Sequence, residues 1–431
     1  MKQYTRRIFP IQPVVGCLLI LLGLSCRSEN EGELKFYFGP EEKRGFTKVM
    51  EHTVHGMNSP YGYDLNTFAT GKDPYFFSID LPEGNYKVTV ILGDKEHPTH
   101  TTIRSESRRL MLANVETRTG DTTTRSFVVN TRNTRITEER SVRLKPRENG
   151  KLNWDEKLTL EINGKRPGLL ELKIEKTDVP TLFLAGNSTV TDQDNEPWCG
   201  WGQMLPQFLD DRVAVANYAE SGEAGNSFIS AGRFAKILTK MKQGDWLFIE
   251  FGHNDQKQTG PGKGPYESYS ESLRQMIAGT REKGGIPVLV TPMHRRRFDE
   301  KGQVINTLGD YPDAMRQMAK QEQVPLIDLN AMSKILYEAW GAEQSTRAFV
   351  HYPAGTFPGQ TDALADNTHF NAYGGDQLAR CIVKGIIDNN IPLGEYIRKD
   401  VPLFNPALPD DPDDFCLSPT PFNSVTKPEG N

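Results

Sequence analysis

Five short, unbroken apolar runs set the frame for this chain: Thr181 to Ala185, Val213 to Tyr218, Asp245 to Phe251, Ile286 to Thr291 and Val324 to Asp328. Helical stretches separate them, the texture a parallel sheet acquires when helices cover both of its faces. The runs predict an α/β domain over residues 180–400 built on a flavodoxin-like doubly wound parallel sheet. In such sheets functional residues gather at the carboxyl ends of the strands.

Before Asp178 the pattern changes. Apolar residues alternate with polar ones in short runs, such as Leu34, Phe36, Phe38 and Tyr86, Val88, Val90, Leu92. Period-two alternation between turn residues predicts an all-β sandwich over residues 31–178. Within it, Leu158, Leu160 and Ile162 are expected to pair as a hairpin with Leu170, Leu172 and Ile174 across the turn Asn163-Gly164-Lys165-Arg166-Pro167. The segment 401–431 carries seven prolines and no periodicity. It is expected to run irregularly over the surface.

The ends of the predicted strands hold the chemistry. The first ends in Ala185-Gly186-Asn187-Ser188-Thr189, presenting a hydroxyl at the functional edge, where a nucleophile is useful. The second ends in Asn217-Tyr218-Ala219-Glu220-Ser221-Gly222, and the third in Gly252-His253-Asn254-Asp255. A side-chain amide at that edge suits an oxyanion hole. Far downstream, Asp366-Asn367-Thr368-His369 precedes a final amphipathic helix. A carboxylate three residues from a histidine can hold its Nδ1 proton and free Nε2 to act as a base. Taken singly, Ser188 also reads as a helix cap, Asn254 as a turn residue and Asp366 with His369 as a surface pair.

As an ordered set, the four blocks resemble the SGNH, or GDSL-type, hydrolases over roughly residues 180–395. Asn187 departs from the aspartate usual in that family. The resemblance implies a catalytic triad of Ser188, Asp366 and His369, and an oxyanion hole from the backbone N–H groups of Ser188 and Gly222 and the Asn254 side chain. It implies no cofactor or metal. Glu196-Pro197-Trp198-Cys199-Gly200-Trp201, Thr291-Pro292-Met293-His294-Arg295-Arg296 and Gly309-Asp310-Tyr311-Pro312 are similar to bacterial rhamnogalacturonan acetylesterases. Phe36-Tyr37-Phe38-Gly39-Pro40 and Tyr61-Gly62-Tyr63-Asp64 look like the galactose-binding-type sandwich sometimes joined to them. The expected activity is therefore removal of O-acetyl groups from pectic polysaccharide. An esterase for xylan or another glycan, and an inactive carbohydrate-binding surface lipoprotein, stay open.

Trp198 and Trp201 are candidates to stack on sugar rings, and His294, Arg295 and Arg296 to meet uronate carboxylates. His253 is read as a loop hydrogen-bonding residue. The proline in His97-Pro98-Thr99-His100 argues against a shared metal site there.

Lys2, Arg6 and Arg7 precede an apolar run from Val14 to Leu24 that ends at Gly23-Leu24-Ser25-Cys26. This resembles a bacterial lipoprotein signal, residues 1–25, with Cys26 lipidated. It implies export to the outer membrane or cell surface through a lipid anchor, or else a periplasmic or secreted protein. Cleavage would take the formal charge from −5 to −8, a balance that argues against nucleic acid as a partner. Cys381 lies with Leu378, Ile382 and Ile386 on one apolar helical face, while a Cys199–Cys416 disulfide stays open.

Overall fold

Alternation between Leu34 and Lys176 builds ten strands among the described residues. A computed structural model describes residues 32–429 except Met57. The signal segment 1–25 and Cys26 lie outside them. Five of these strands form one sheet in the order Tyr61–Asp64, Tyr75–Asp80, Lys157–Arg166, Thr99–Ser105, Arg109–Thr117. The others, Thr122–Thr131, Gly84–Gly93, Leu169–Lys176, Leu34–Tyr37 and Thr47–Lys48, form half of a larger sheet. Both sets feed one apolar cluster, with Phe77, Leu160 and Ile162 from the first and Val88, Val90 and Leu172 from the second. Each of these fully buried apolar side chains contributes roughly 1.5–3 kcal/mol.

The expected hairpin does not form. Lys157–Arg166 pairs with Tyr75–Asp80 and Thr99–Ser105, whereas Leu169–Lys176 pairs with Gly84–Gly93 and Leu34–Tyr37. Pro167 and Gly168 carry the chain from one sheet to the other. The two leucine rows share the core but belong to opposite sheets.

The second texture forms Thr181–Gly186, Ala214–Asn217, Trp246–Glu250, Ile286–Val290 and Leu326–Ile327, all parallel. Numbered by their order in the chain, they lie 2-1-3-4-5 across the sheet, an order that belongs to the flavodoxin-like doubly wound sheet expected from the runs. Leu182 and Leu184 enter one core cluster, with Leu378 and Ile382 of the helix Ala372–Asp388. Phe183 and Ala185 enter another, with Met276 of Ser270–Glu282 and Met315 of Tyr311–Glu322. Burial on both faces explains why these runs are apolar without alternation.

A parallel pairing of Val215 with Val129 joins the two halves into one ten-stranded sheet. Buried arginines reinforce the join. Arg108 Nη1 donates to the carbonyls of Gln193 and Trp198 at 3.1 and 2.9 Å. Arg109 Nε lies 2.8 Å from Asp192.

From Val401 to Glu429 the chain is irregular, as expected, yet it is pinned rather than loose. Tyr373 donates to Asp410 O at 2.6 Å, Thr420 donates to the Glu161 carboxylate at 3.0 Å, and Trp198 Nε1 donates to Ser424 O at 2.8 Å. Cys199, Cys381 and Cys416 are free thiols, so the open question of a Cys199–Cys416 bond is answered in the negative.

Candidate active site

Gly186 ends the first parallel strand where only glycine fits, because a Cβ there would stand 2.5 Å from Val190 Cγ2. The turn that follows is shaped by Asn187. Its Oδ1 accepts from the Thr189 N–H at 3.0 Å and from the Thr189 hydroxyl at 2.8 Å. An amide oxygen thus does the accepting that a carboxylate would do at this position. No helix begins at Ser188, since the next one is Trp201–Met204, so its hydroxyl is not a helix cap.

The strand Leu364–Phe370 brings His369 to Ser188. His369 Nε2 lies 2.9 Å from Ser188 Oγ, and His369 Nδ1 lies 2.8 Å from Asp366 Oδ2. The other carboxylate oxygen accepts backbone N–H groups of Thr368 and His369 at 2.7 and 2.9 Å. Burial raises the Asp366 pKa, but its bonds to His369 and those two amides outweigh this and hold it well below the usual carboxylate range. Burial lowers the pKa of His369, and Asp366 only partly compensates. The imidazole therefore rests neutral, as a base must.

The neighbouring strand ends close around this pair. Gly222 adopts a left-handed φ of 76°. Asn254 Nδ2 donates to Glu223 O at 3.0 Å, which keeps the third-strand loop against the Gly222 loop. Asp255 ties them further, accepting from Gly225 N and Gly252 N, each at 2.9 Å. Gln193 Nε2 bridges Ser188 O at 2.9 Å and Ser221 Oγ at 3.2 Å. Ser188, Gly222 and Asn254 are thus assembled at one sheet edge. A hydroxyl bonded to a carboxylate-held imidazole, beside loops rich in N–H donors, can carry out acyl transfer.

The residues expected to touch sugar are placed differently. Trp201 is fully buried in the core, with Nε1 donating to Glu250 at 3.2 Å, and it presents no face for stacking. Trp198 packs edge-on against His369 with ring centroids 5.6 Å apart, and it lines a cavity of about 350 Å³. His294 is buried, which pushes its pKa down to about 4 and leaves it no charge for a carboxylate. Arg296 is already engaged: Nη1 donates to Asn367 Oδ1 and Nε to Ser345 Oγ, both at 2.9 Å. It buttresses the Asp366–His369 turn. Arg295, half-buried, reaches His253 O at 3.4 Å. His253 itself is buried 3.7 Å from Glu250, and burial together with the charge of Arg295 keeps it neutral.

Sequence reasoning missed the cations that do line the cavity, Arg147, Lys151 and Lys427. Arg147 and Lys151 precede the α/β half in the chain, in a stretch with ordinary surface composition and no motif. It also missed Glu250, whose buried carboxyl is pushed up to about 7 behind Thr189.

Residues 184–376 match the GDSL-like Lipase/Acylhydrolase family. The rhamnogalacturonan acetylesterase RhgT of Bacillus subtilis is 44% identical over 218 residues, covering 50% of this chain and 93% of the relative. The probable rhamnogalacturonan acetylesterase YesY of the same organism is 37% identical over 222 residues, 51% of this chain and 98% of the relative. The crystal structure of Bacillus subtilis YxiM aligns at 24% identity with a TM-score of 0.47, over 84% of this chain and 99% of that one. With RhgT matched over almost its whole length, the chain belongs to the GDSL-type hydrolases related to rhamnogalacturonan acetylesterases and is a carboxylic ester hydrolase.

Proposed function

We propose that this chain is an exported serine esterase that removes O-acetyl groups from rhamnogalacturonan. The observation that carries the mechanism is the Ser188–His369–Asp366 relay, with bonds of 2.9 and 2.8 Å. Ser188 Oγ attacks the acetyl carbonyl as its proton passes to His369 Nε2, and Asp366 stabilises the resulting imidazolium. The N–H groups of Ser188 and Gly222 and Asn254 Nδ2 hold the oxyanion. Collapse of the tetrahedral intermediate breaks the bond to the sugar oxygen, which takes the proton from His369. Water then attacks the acetyl-enzyme with His369 again as base, and acetate leaves.

The substrate reading is supported by RhgT and YesY, both rhamnogalacturonan acetylesterases by name. Trp198 is buried edge-on against His369, with its Nε1 donating to Ser424 O, and so supports the histidine from the cavity wall rather than offering a face to sugar. The N-terminal strands, two sheets around one core, suit a galactose-binding-type β-sandwich. The basic residues, apolar run and Cys26 at the start of the sequence suit a lipid-anchored surface protein.

The test is acetate release from acetylated rhamnogalacturonan, homogalacturonan and xylan by the purified protein and by Ser188→Ala. Release from rhamnogalacturonan should dominate and should vanish in the variant. Preference for xylan, or equal release by Ser188→Ala, would overturn the reading.

A further inference from the structure

Two cations from the N-terminal half stand beside this cavity, Arg147 in its wall and Lys145 on the carbonyl of Ser221, which also lines it. Lys145 and Arg147 lie between the strands Thr122–Thr131 and Lys157–Arg166, outside the region that matches the family. Lys145 Nζ donates to Ser221 O at 2.6 Å and lies 3.3 Å from Glu223. A Cβ added to Gly222 would stand 2.9 Å from that ammonium, so Lys145 covers one side of the glycine. Arg147 places Nε and Nη2 on Glu220 at 3.1 and 3.0 Å.

The inner partners Glu220 and Glu223 are buried, each with a side chain 3% exposed. The outer partner is different. Arg147 Nη1 meets the Glu429 carboxylate at 2.5 Å, and Lys145 Nζ lies 3.7 Å from it. Glu429 belongs to the irregular C-terminal segment, and its side chain is 65% exposed. The same segment sets Lys427 Nζ 3.4 Å from Asp366, and Lys427 and Glu429 line the cavity that Trp198 and Ser221 also line. A carboxylate is thus held on two cations beside the catalytic pair, on an exposed side chain that lies beyond the pins of the segment at Asp410, Thr420 and Ser424. Replacing it with another carboxylate keeps both cations paired at little desolvation cost. The chain as a whole is acidic, so attraction for a polyanion has to be local.

We infer that Lys145 and Arg147 form a carboxylate subsite beside the oxyanion hole, shaped for the uronate of an acidic glycan, with Glu429 as its internal stand-in. This rests on the proposed esterase activity toward pectic glycan.

The test uses hydrolysis of 4-nitrophenyl acetate, a neutral ester, with unacetylated rhamnogalacturonan oligosaccharides as inhibitor and neutral xylo-oligosaccharides for comparison. The acidic oligosaccharide should inhibit more strongly than the neutral one. Its Ki should rise about tenfold in Arg147→Gln, equivalent to the loss of about 1.4 kcal/mol, and fall several-fold in Glu429→Gln. The Glu429→Gln effect should disappear in the double variant, because both residues act at one place. Equal inhibition by the two oligosaccharides, or a Ki that Glu429→Gln leaves unchanged or raises, would overturn the subsite. Should Arg147→Gln fail to fold for want of the Glu220 pair, Glu429→Gln on the exposed segment decides alone. No acetylated pectin enters this assay, so its failure stays distinct from a failure of acetate release.

Discussion

Arg109 Nε lies 2.8 Å from the Asp192 carboxylate, with the two side chains 1% and 0% exposed. The pair spans the seam between the N-terminal sheets and the loop that follows Ser188. Asp192 also accepts from Asn217 Nδ2 at 2.8 Å, and Asn217 donates to Val190 O at the same distance. The nucleophile turn is therefore braced by a charge from the other half of the chain.

Removing one partner leaves the other charge buried and unpaired, so Arg109→Ala or Asp192→Ala should destabilise the fold by about 3–5 kcal/mol. Replacing both with apolar residues of similar size should recover much of that loss. Thermal unfolding of the single and double variants checks this. A Tm for Asp192→Ala equal to that of the parent protein would mean the pair is not a brace.

Asp366→Asn should lower kcat by about 10⁴-fold with little change in fold. Oδ1 accepts two backbone N–H groups, so the substituted amide keeps its oxygen there and turns its NH₂ toward His369 Nδ1. Nδ1 must then accept, and Nε2 carries the proton and cannot take one from Ser188. Steady-state rates on a neutral acetyl ester measure the loss, and a drop below tenfold would contradict this tautomer assignment.

Asn254→Ala should reduce kcat by about 10²–10³-fold while KM changes little, the pattern of a donor used mainly in the transition state. One Asn254 amide hydrogen serves Glu223 O, leaving the second for the oxyanion. If the loss instead fell on KM, Asn254 would be a binding residue.

The pH profile follows from His369. Burial lowers its pKa below 6.5 despite the pull of Asp366, so the neutral base survives into mildly acidic solution. The acid limb of kcat/KM should have its midpoint below 6.5. Lys427 adds to the lowering, so Lys427→Gln should move that limb to higher pH. For stability the sign is the same: the unfolded chain binds the proton first, so this contribution is full above pH 6.5 and is lost as pH falls through the folded pKa. A limb centred above 6.5 in the parent protein would refute the assignment.

Much of the α/β half was legible because two-sided burial leaves a local mark. Leu182 and Phe183 point to opposite covered faces, so the run holding them is apolar throughout. The short spacing that lets Asp366 reach His369 was legible too, whereas the roles of Gly186 and Asn187 in the nucleophile turn came from the structure. Leu158–Ile162 and Leu170–Ile174 went wrong for a related reason. Alternation reports which face of a strand is buried, and two strands lining the same core alternate alike whether they are neighbours or lie in opposite sheets.

The sequence by itself determined the strand pattern, the order of the four motif blocks and the carboxylate beside the histidine, because periodicity, turn preference and short spacing are properties of local chain. Only the tertiary structure decided that Trp201 faces the core, that Arg296 braces a turn, and that Arg147 from one half meets Glu429 near the other end of the chain. A buried charge or an indole takes its role from the groups that arrive beside it across hundreds of residues. No window of sequence contains those groups.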